Sequence, residues 1–344
     1  MKPDITIYDI ARALKLAPVT ISRALNNHPA VKERTRKRIV EYAREHGYRA
    51  NSFASSLRKQ KTQTIGLLMH EINSYFMTAV LTGIEHVLTE AGYNLIIAHS
   101  SENSAKEIAN AGNLFHKRVD GLIVSLAYDT ENMDHFQPYL HKNIPMVFFD
   151  RVEADFPATR VIIDNERAGY DATMHLIDQG CRRIAHVTAS LKRNVYAMRL
   201  AGYERALDEK GIAIQDDDVI IVNFNEDDTG IKVARQIMEM HPRPDGLFIT
   251  NDLCAAICIK TLIQSGIRVP EDIAVTGFNN DLISRVVTPE ITTINYPGQT
   301  IGMTAAQQLL QLLQGNQAQA GETIVVDSTL ITRASSVRRI DNNS

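Results

Sequence analysis

The sequence predicts two unlike parts: a small all-α helix-turn-helix headpiece and, behind it, an α/β body of two doubly wound lobes. Three observations carry this expectation. Before residue 50, apolar residues recur at helical spacing in three short runs. From Thr64 onward, short apolar runs alternate with amphipathic stretches of helix length, the pattern of a parallel sheet covered on both faces. Charge divides at the same place: residues 1–64 hold 14 Lys and Arg against 5 Asp and Glu, a balance of +9, whereas the remainder carries −12 within an overall −3. A chain of 344 residues with 44% hydrophobic content has room for two or three domains with sizeable cores.

In the headpiece, Ile7, Ile10, Ala11 and Leu14 mark the first helix, with Thr6 and Asp9 placed as a capping pair. Pro18 opens the second helix, running to Leu25, because its missing N–H costs nothing there and its φ is already helical. The residues between Leu14 and Pro18 allow only a tight turn, which is helix-turn-helix spacing. Ile39, Tyr42 and Ala43 mark the third helix, closed by Gly47 after Arg44 and His46. With Ile21 and Leu25 turned inward, Val19, Thr20, Ser22, Arg23 and Asn26 fall on or near the exposed side. Short hydroxyls donate to phosphate oxygens, and one guanidinium reaches guanine O6 and N7 with two parallel bonds. A helix that merely faces solvent more usually carries Glu and Lys at i, i+4 spacing. The basic charge fits a polyanion partner through counterion release; the bland alternative is a solvated basic arm.

These residues carry a resemblance. The stretch from Thr6 to Asn26 resembles the N-terminal signature of the LacI/GalR family of bacterial transcription repressors, matching at Thr6, Ile7, Asp9, Ile10, Ala11, Thr20, Ile21, Ser22, Arg23, Leu25 and Asn26. The resemblance implies that Pro18, Val19 and Arg23 read bases and that Thr6, Thr20, Ser22, Asn26 and Thr35 anchor phosphates; Tyr8 belongs to the same implied set. Lys15 stands where the family has its turn glycine, and Ala17 where it usually has a capping Ser, a loss of about 1 kcal/mol.

Residues 51–63 are expected to form a hinge helix and linker between the headpiece, residues 1–50, and the body, residues 64–344. By composition alone the segment also reads as a flexible linker. Asn51 is placed to cap a short helix presenting Ala54 and Leu57, and an apolar wedge in a minor groove unstacks a base step. The pattern is similar to the family's hinge, which implies that Leu57 is the wedge, Ala54 allows close approach and Arg58 is the neighbouring basic contact. Ala50 replaces the family's common proline.

In the body, "TIGLLM", "NLIIAHS", "DGLIVSL" and "PMVFFD" read as strands of one lobe, and "RIAHVTAS", "DVIIVNF", "DGLFITN" and "DIAVTGFN" as strands of a second. The lobes are expected at about 64–163 plus 295–323 and 164–294 plus 324–337. In doubly wound folds ligands bind at the carboxyl ends of strands and between lobes. Asp150 and Arg151, Asn251 and Asp252, and Asn279 and Asn280 stand at such ends, and Arg199 follows a polar loop. Each alone is as readily a turn or cap; together they favour a polar small-molecule site. "FFDR", "RLAGY", "TND" and "TTINYP" resemble strings of the same family's effector domain, related in fold to periplasmic sugar-binding proteins, and the resemblance covers nearly the whole chain. It implies a periplasmic-binding-protein-like body whose pocket is lined by Tyr75, Phe76, Asp150, Arg199, Asp252 and Asn279. Asn279 stands where an acid often grips the ligand, and Tyr296 replaces the commoner Gln. Lys192 and Arg193, close to Arg199 in sequence, point to a carboxylated or phosphorylated effector or merely decorate a loop.

The function expected is that of a sequence-specific DNA-binding regulator, a repressor, controlled by a small polar effector such as a sugar, sugar acid or sugar phosphate. Its partners would be a pseudo-palindromic double-stranded operator and a second copy of the chain, since the C-terminal tail has no leucine heptad for a tetramer. A solute-binding protein for transport is the alternative the body alone permits; the basic module and the lack of an export signal weigh against it. An enzyme using the cleft is a third reading, but the chain lacks G-x-x-x-x-G-K-[ST], G-x-S-x-G and H-E-x-x-H strings. No cofactor or metal is expected. Cys181, Cys254 and Cys258 lack framework spacing and read as buried packing. With no apolar run of about 18 residues, the expected location is the cytoplasm, on the nucleoid when bound to DNA.

Overall fold

The computed structural model describes residues 5–48, 61–224, 226–315 and 321–338. The chain divides near residue 62 into two compact units. The first comprises α1 (Ile7–Leu14), α2 (Pro18–Leu25) and α3 (Glu33–Glu45). Its core is Ile10, Ala11, Leu14, Ile21, Ala24, Val31, Ile39 and Ala43. Ala24, rather than Leu25, is the wholly buried partner of Ile21, while Leu25 is half-buried against the same cluster. The small Ala24 side chain lets α2 lie close to its neighbours.

The second unit holds β1 (Thr64–Met69), α4 (Tyr75–Glu90), β2 (Asn94–His99), α5 (Ser104–His116), β3 (Gly121–Val124), α6 (Gln137–His141), β4 (Met146–Phe149) and β5 (Thr159–Ile163). Then come α7 (Asn165–Asp178), β6 (Ile184–Thr188), α8 (Asn194–Glu209), β7 (Val219–Ile221), α9 (Thr229–Glu239), β8 (Gly246–Ile249), α10 (Asp252–Gln264) and β9 (Ala274–Asn279). The unit closes with α11 (Ile283–Val286), β10 (Thr292–Asn295), α12 (Gly298–Leu313), β11 (Thr323–Val326) and β12 (Thr329–Ile331). Two six-stranded sheets result, ordered β11-β5-β4-β3-β1-β2 and β12-β10-β9-β8-β6-β7. All pairs are parallel except β10 with β12. Strands buried on both faces, such as Gly121–Val124 and Gly246–Ile249, are continuous apolar runs because helices cover each side.

The chain passes between sheets after β5, between β10 and α12, and between β11 and β12. The last crossing lies later than expected: residues 324–326, assigned from sequence to the second lobe, pair with β5 in the first, Thr323 aligning with Arg160 and Val326 with Ile163. Likewise Asn295 belongs to β10 of the second sheet. Two apolar runs separated by a short turn gave no signal as to which sheet each joins.

Glycines bring helices into backbone contact in each lobe. A Cβ on Gly83 of α4 would meet the Gln299 carbonyl oxygen at 2.2 Å, and one on Gly202 of α8 would meet the Glu166 carbonyl oxygen at 2.0 Å. Glycine is thus required for α4 to lie on α12 and α8 on α7. The second contact seats Arg199, one turn before Gly202, over the carboxyl ends of the second sheet.

Candidate functional site

The headpiece presents one face built by its turn. Thr6 caps α1: its hydroxyl oxygen accepts from the Asp9 N–H at 3.3 Å, and the Asp9 carboxylate accepts from the Thr6 N–H at 3.0 Å. This reciprocal box, led by the Thr6 hydroxyl, holds the Asp9 pKa below its ordinary value. Lys15 ends α1 at φ +54°, the left-handed region, and sends its N–H back to the Ala11 and Arg12 carbonyls. Ala17 precedes α2 without a side-chain cap, and Pro18 occupies the opening turn. The outcome is that Tyr8 is 64% and Val19 60% exposed, with Thr6, Arg23 and Asn26 exposed and Pro18, Thr20, Ser22 and Thr35 half-buried. The Arg23 side chain makes no ion pair or hydrogen bond among the described residues. Asn26 Nδ2 donates to the Ser22 carbonyl at 2.7 Å, closing α2. Asn51, Ala54, Leu57 and Arg58 lie outside the described residues.

In the body, strand ends converge as expected, but the groups they deliver are largely engaged with one another. Asp150, just after β4, is buried at φ +57°. Its Oδ1 accepts from the Tyr296 hydroxyl at 2.6 Å and its Oδ2 from the Ser125 hydroxyl at 3.3 Å, while His70 Nδ1 lies 2.9 Å from Ser125 Oγ. Burial, with the Arg151 charge adding to it, pulls the His70 pKa well down, so its ring is neutral. Ser125 is itself fully buried and hydrogen-bonded to the carboxylate, so this chain of groups positions Asp150. Phe76 stacks on Tyr296 with centroids 4.1 Å apart, and neighbouring Tyr75 is 56% exposed.

Arg199 is buried, donates from Nε to Asn165 Oδ1 at 2.9 Å and lies over the Phe278 ring at 3.5 Å. Burial lowers its pKa, yet a guanidinium stays charged, and no carboxylate forms an ion pair with it among the described residues. Asn279 ends β9 at φ +114° and Asn280 follows at φ +57°, positive-φ conformations at the same end as Asp150 at φ +57°. Asn279 Nδ2 donates to Asp281 at 3.3 Å.

Asp252 is fully buried, with Oδ1 accepting from the Thr293 hydroxyl at 2.8 Å and Oδ2 from the Asp281 N–H at 2.9 Å. A Cβ at Gly277 would stand 2.0 Å from its Oδ1, so the carboxyl group is docked on the sheet. Burial raises its pKa far above the carboxylate range, with Asp281 adding to the effect. Asp252 therefore shapes the turn that carries Asn279; half-buried Asn251 caps α10 through the Cys254 N–H at 2.9 Å.

A further set was not assigned from sequence. Arg151 pairs through Nη1 with both Glu102 oxygens at 2.8 Å, lies over the Tyr128 ring at 4.0 Å and donates to the Tyr196 hydroxyl at 3.4 Å. Burial works against the Arg151 charge, but Tyr196, Tyr128 and Glu102 raise its pKa overall. The neighbouring "FFDR" string made Arg151 visible; Glu102 and Tyr128 had no local signal. Lys192 and Arg193, noted for an anionic effector, instead reach the other lobe, Lys192 toward Glu131 at 3.5 Å and Arg193 to the Thr130 carbonyl at 2.6 Å.

A helix-turn-helix headpiece joined to a two-lobed body with polar groups gathered at its strand ends defines the class of two-part transcription regulators. Residues 6–51 match the bacterial regulatory proteins of the lacI family, and residues 173–336 match a periplasmic binding protein-like domain. Catabolite control protein A of Priestia megaterium is 32% identical over 311 residues, covering 90% of this chain and 93% of that protein. The HTH-type transcriptional repressor PurR of Vibrio atlanticus is 33% identical over 309 residues, covering 90% and 92%. In fold, the chain is similar to the lac repressor dimer bound to operator and the anti-inducer ONPF, with a TM-score of 0.86, 22% identity and coverage of 98% and 100%. The chain belongs to the LacI family and is a DNA-binding transcription regulator. No helix among the described residues is long and apolar enough to cross a membrane.

Proposed function

We propose that the chain is a repressor that binds a pseudo-palindromic operator as a homodimer and answers to a small polar effector, a sugar or sugar derivative, in the interlobe cleft. The observation that carries the DNA reading is the face of α2, where an unengaged Arg23 stands beside exposed Val19 on a basic headpiece. Val19, Arg23 and Pro18 contact base edges; Thr6, Tyr8, Thr20, Ser22, Asn26 and Thr35 contact the backbone. Asn51, Ala54, Leu57 and Arg58 supply the hinge contacts in the minor groove.

The effector face is assigned to Tyr75, Phe76, Asp150, Arg199, Asp252 and Asn279. Buried Arg199, stacked on Phe278 and without a carboxylate partner, supports a ligand that supplies acceptor oxygens. Effector and operator then alter each other's affinity by the same factor. The dimer is assigned to an apolar groove of about 470 Å³ at α10 and α11, lined by Leu253, Ile257, Ile263, Ile283 and Val287. Leu253 is 53% and nearby Val286 64% exposed, an apolar face that a two-fold partner would cover.

Selection of duplexes from a random pool by the full chain tests the first part; a palindromic consensus is expected, and retention of no sequence over bulk DNA refutes it. Thermal-shift screening of sugars, sugar acids and sugar phosphates tests the second. Arg199→Ala should erase the response to whichever compound binds while leaving operator binding measurable. An unchanged dose response would remove Arg199 from the site.

A further inference from the structure

We infer that each operator half-site carries a thymine whose C5 methyl group is read by Val19, one or two steps from the guanine read by Arg23. The inference rests on the proposed operator binding and names the base that one side chain of that interface selects. Its ground is the outward face of α2. In this eight-residue helix Ile21 and Ala24 are wholly buried, and the positions opposite them are Val19, Ser22 and Arg23. Val19 is 60% exposed, and the two residues before it, exposed Ala17 and half-buried Pro18, are apolar as well. The end of the helix that leaves the turn therefore presents hydrocarbon rather than hydroxyl, amide or charge. A solvated face gains nothing from this arrangement, because valine gives up side-chain freedom in a helix and so short a helix has little propensity to spare.

The chemistry of the groove makes the choice of base. Every base pair displays hydrogen-bonding atoms along its major-groove edge, and among the four unmodified bases thymine alone adds an apolar group, its C5 methyl. An isopropyl group pressed on guanine N7 and O6, or on the cytosine amine, strips water from atoms it cannot pair. Against the thymine methyl, both apolar surfaces leave water together. Pro18 sharpens the selection, since it has no N–H to donate to a neighbouring base acceptor. Arg23 stands one turn from Val19 on the same face, with about 5–6 Å between Cβ atoms. Successive bases of a strand are about 3.4 Å apart, so the two side chains meet bases one or two steps from each other.

Thymine-to-deoxyuridine scanning tests the assignment, because it removes the methyl group and leaves base pairing unchanged. The affinity of the full-length chain is measured for the duplex it selects from a random pool, with each thymine replaced in turn. At one position per half-site the replacement is expected to weaken binding about four-fold, the worth of one buried methyl group, and about fifteen-fold when made in both half-sites. Cytosine at that position is expected to bind more weakly still, and 5-methylcytosine, which carries the same methyl, to recover about four-fold over cytosine. Val19→Ala changes an exposed position and leaves the helix core intact; it is expected to bind the thymine and deoxyuridine duplexes within about two-fold of each other. Wild-type affinity that is indifferent to deoxyuridine at every position overturns the inference. So does a deoxyuridine penalty undiminished in Val19→Ala, which gives the methyl contact to another residue. A wild-type chain that selects no duplex refutes operator binding and every base assignment with it, whereas a selected duplex without a methyl effect refutes the thymine assignment alone.

Discussion

Arg23 and His186 mark two ways in which single residues were and were not legible. Arg23 announces itself by spacing, since an arginine among hydroxyls opposite Ile21 has no structural task. Arg23→Ala is expected to relax base preference by about 1–3 kcal/mol at the position it reads, measured as the affinity ratio between operator variants; equal losses on all variants would make it a phosphate contact. His186, by contrast, lies unremarked in an apolar strand. It is fully buried between Tyr203 and Phe248, with centroids at 5.0 and 4.8 Å, and both ring nitrogens lack a hydrogen-bond partner. Burial, with Arg199 contributing, lowers its pKa to about 3. The unfolded chain, titrating near 6.5, binds the proton first, so stability present above that value is lost as pH falls toward 3. His186→Leu is expected to blunt this loss by about 2 kcal/mol at pH 5 relative to pH 7.5, read from urea unfolding at the two pH values. Identical pH dependence in both proteins would show that other groups control acid unfolding. Asp281, pushed up to about 6 by burial, works oppositely, since its contribution is present at low pH and lost as pH rises through 6.

At the scale of elements, helix ends were readable because their chemistry is local. The Thr6 and Asp9 box, Pro18 in the first turn of α2 and Gly47 at φ +66° all stand where the sequence placed them. Lys15 in the left-handed turn and Ala17 without a cap were visible as departures, and each makes the turn more costly than it need be. Ala17→Ser is expected to stabilise α2 by about 1 kcal/mol, seen as slower exchange of its amides; no change would mean that packing on Ile21 and Ala24 already determines the helix start. What no local pattern revealed is which glycines are structural. Gly202→Ala would drive a methyl into the Glu166 carbonyl and is expected to cost about 3 kcal/mol or more, measured by thermal unfolding of the body. A variant as stable as the wild type would mean that α7 and α8 part without penalty.

For the whole molecule, the proposed dimer makes the outer face of α10 and α11 as consequential as the cleft. Val286→Asp places a charge in the proposed interface and is expected to yield monomers in sedimentation at micromolar concentration, with weakened operator binding; an unchanged mass would move the interface elsewhere. Alternation of short apolar runs with amphipathic helices determined by itself that the body is a doubly wound pair of lobes, because that pattern has few ways to bury itself. Local spacing likewise determined the helix-turn-helix and the polar groups at strand ends. Only the tertiary structure decided which partners those groups take. Asp252 is bonded to Thr293 and the Asp281 backbone, Asp150 to Tyr296, and Arg151 meets Glu102 and Tyr196 across 49 and 45 residues. A carboxylate's partner is set by proximity in space, and once chain crossings bring distant segments together, sequence separation no longer limits which charges and hydroxyls meet.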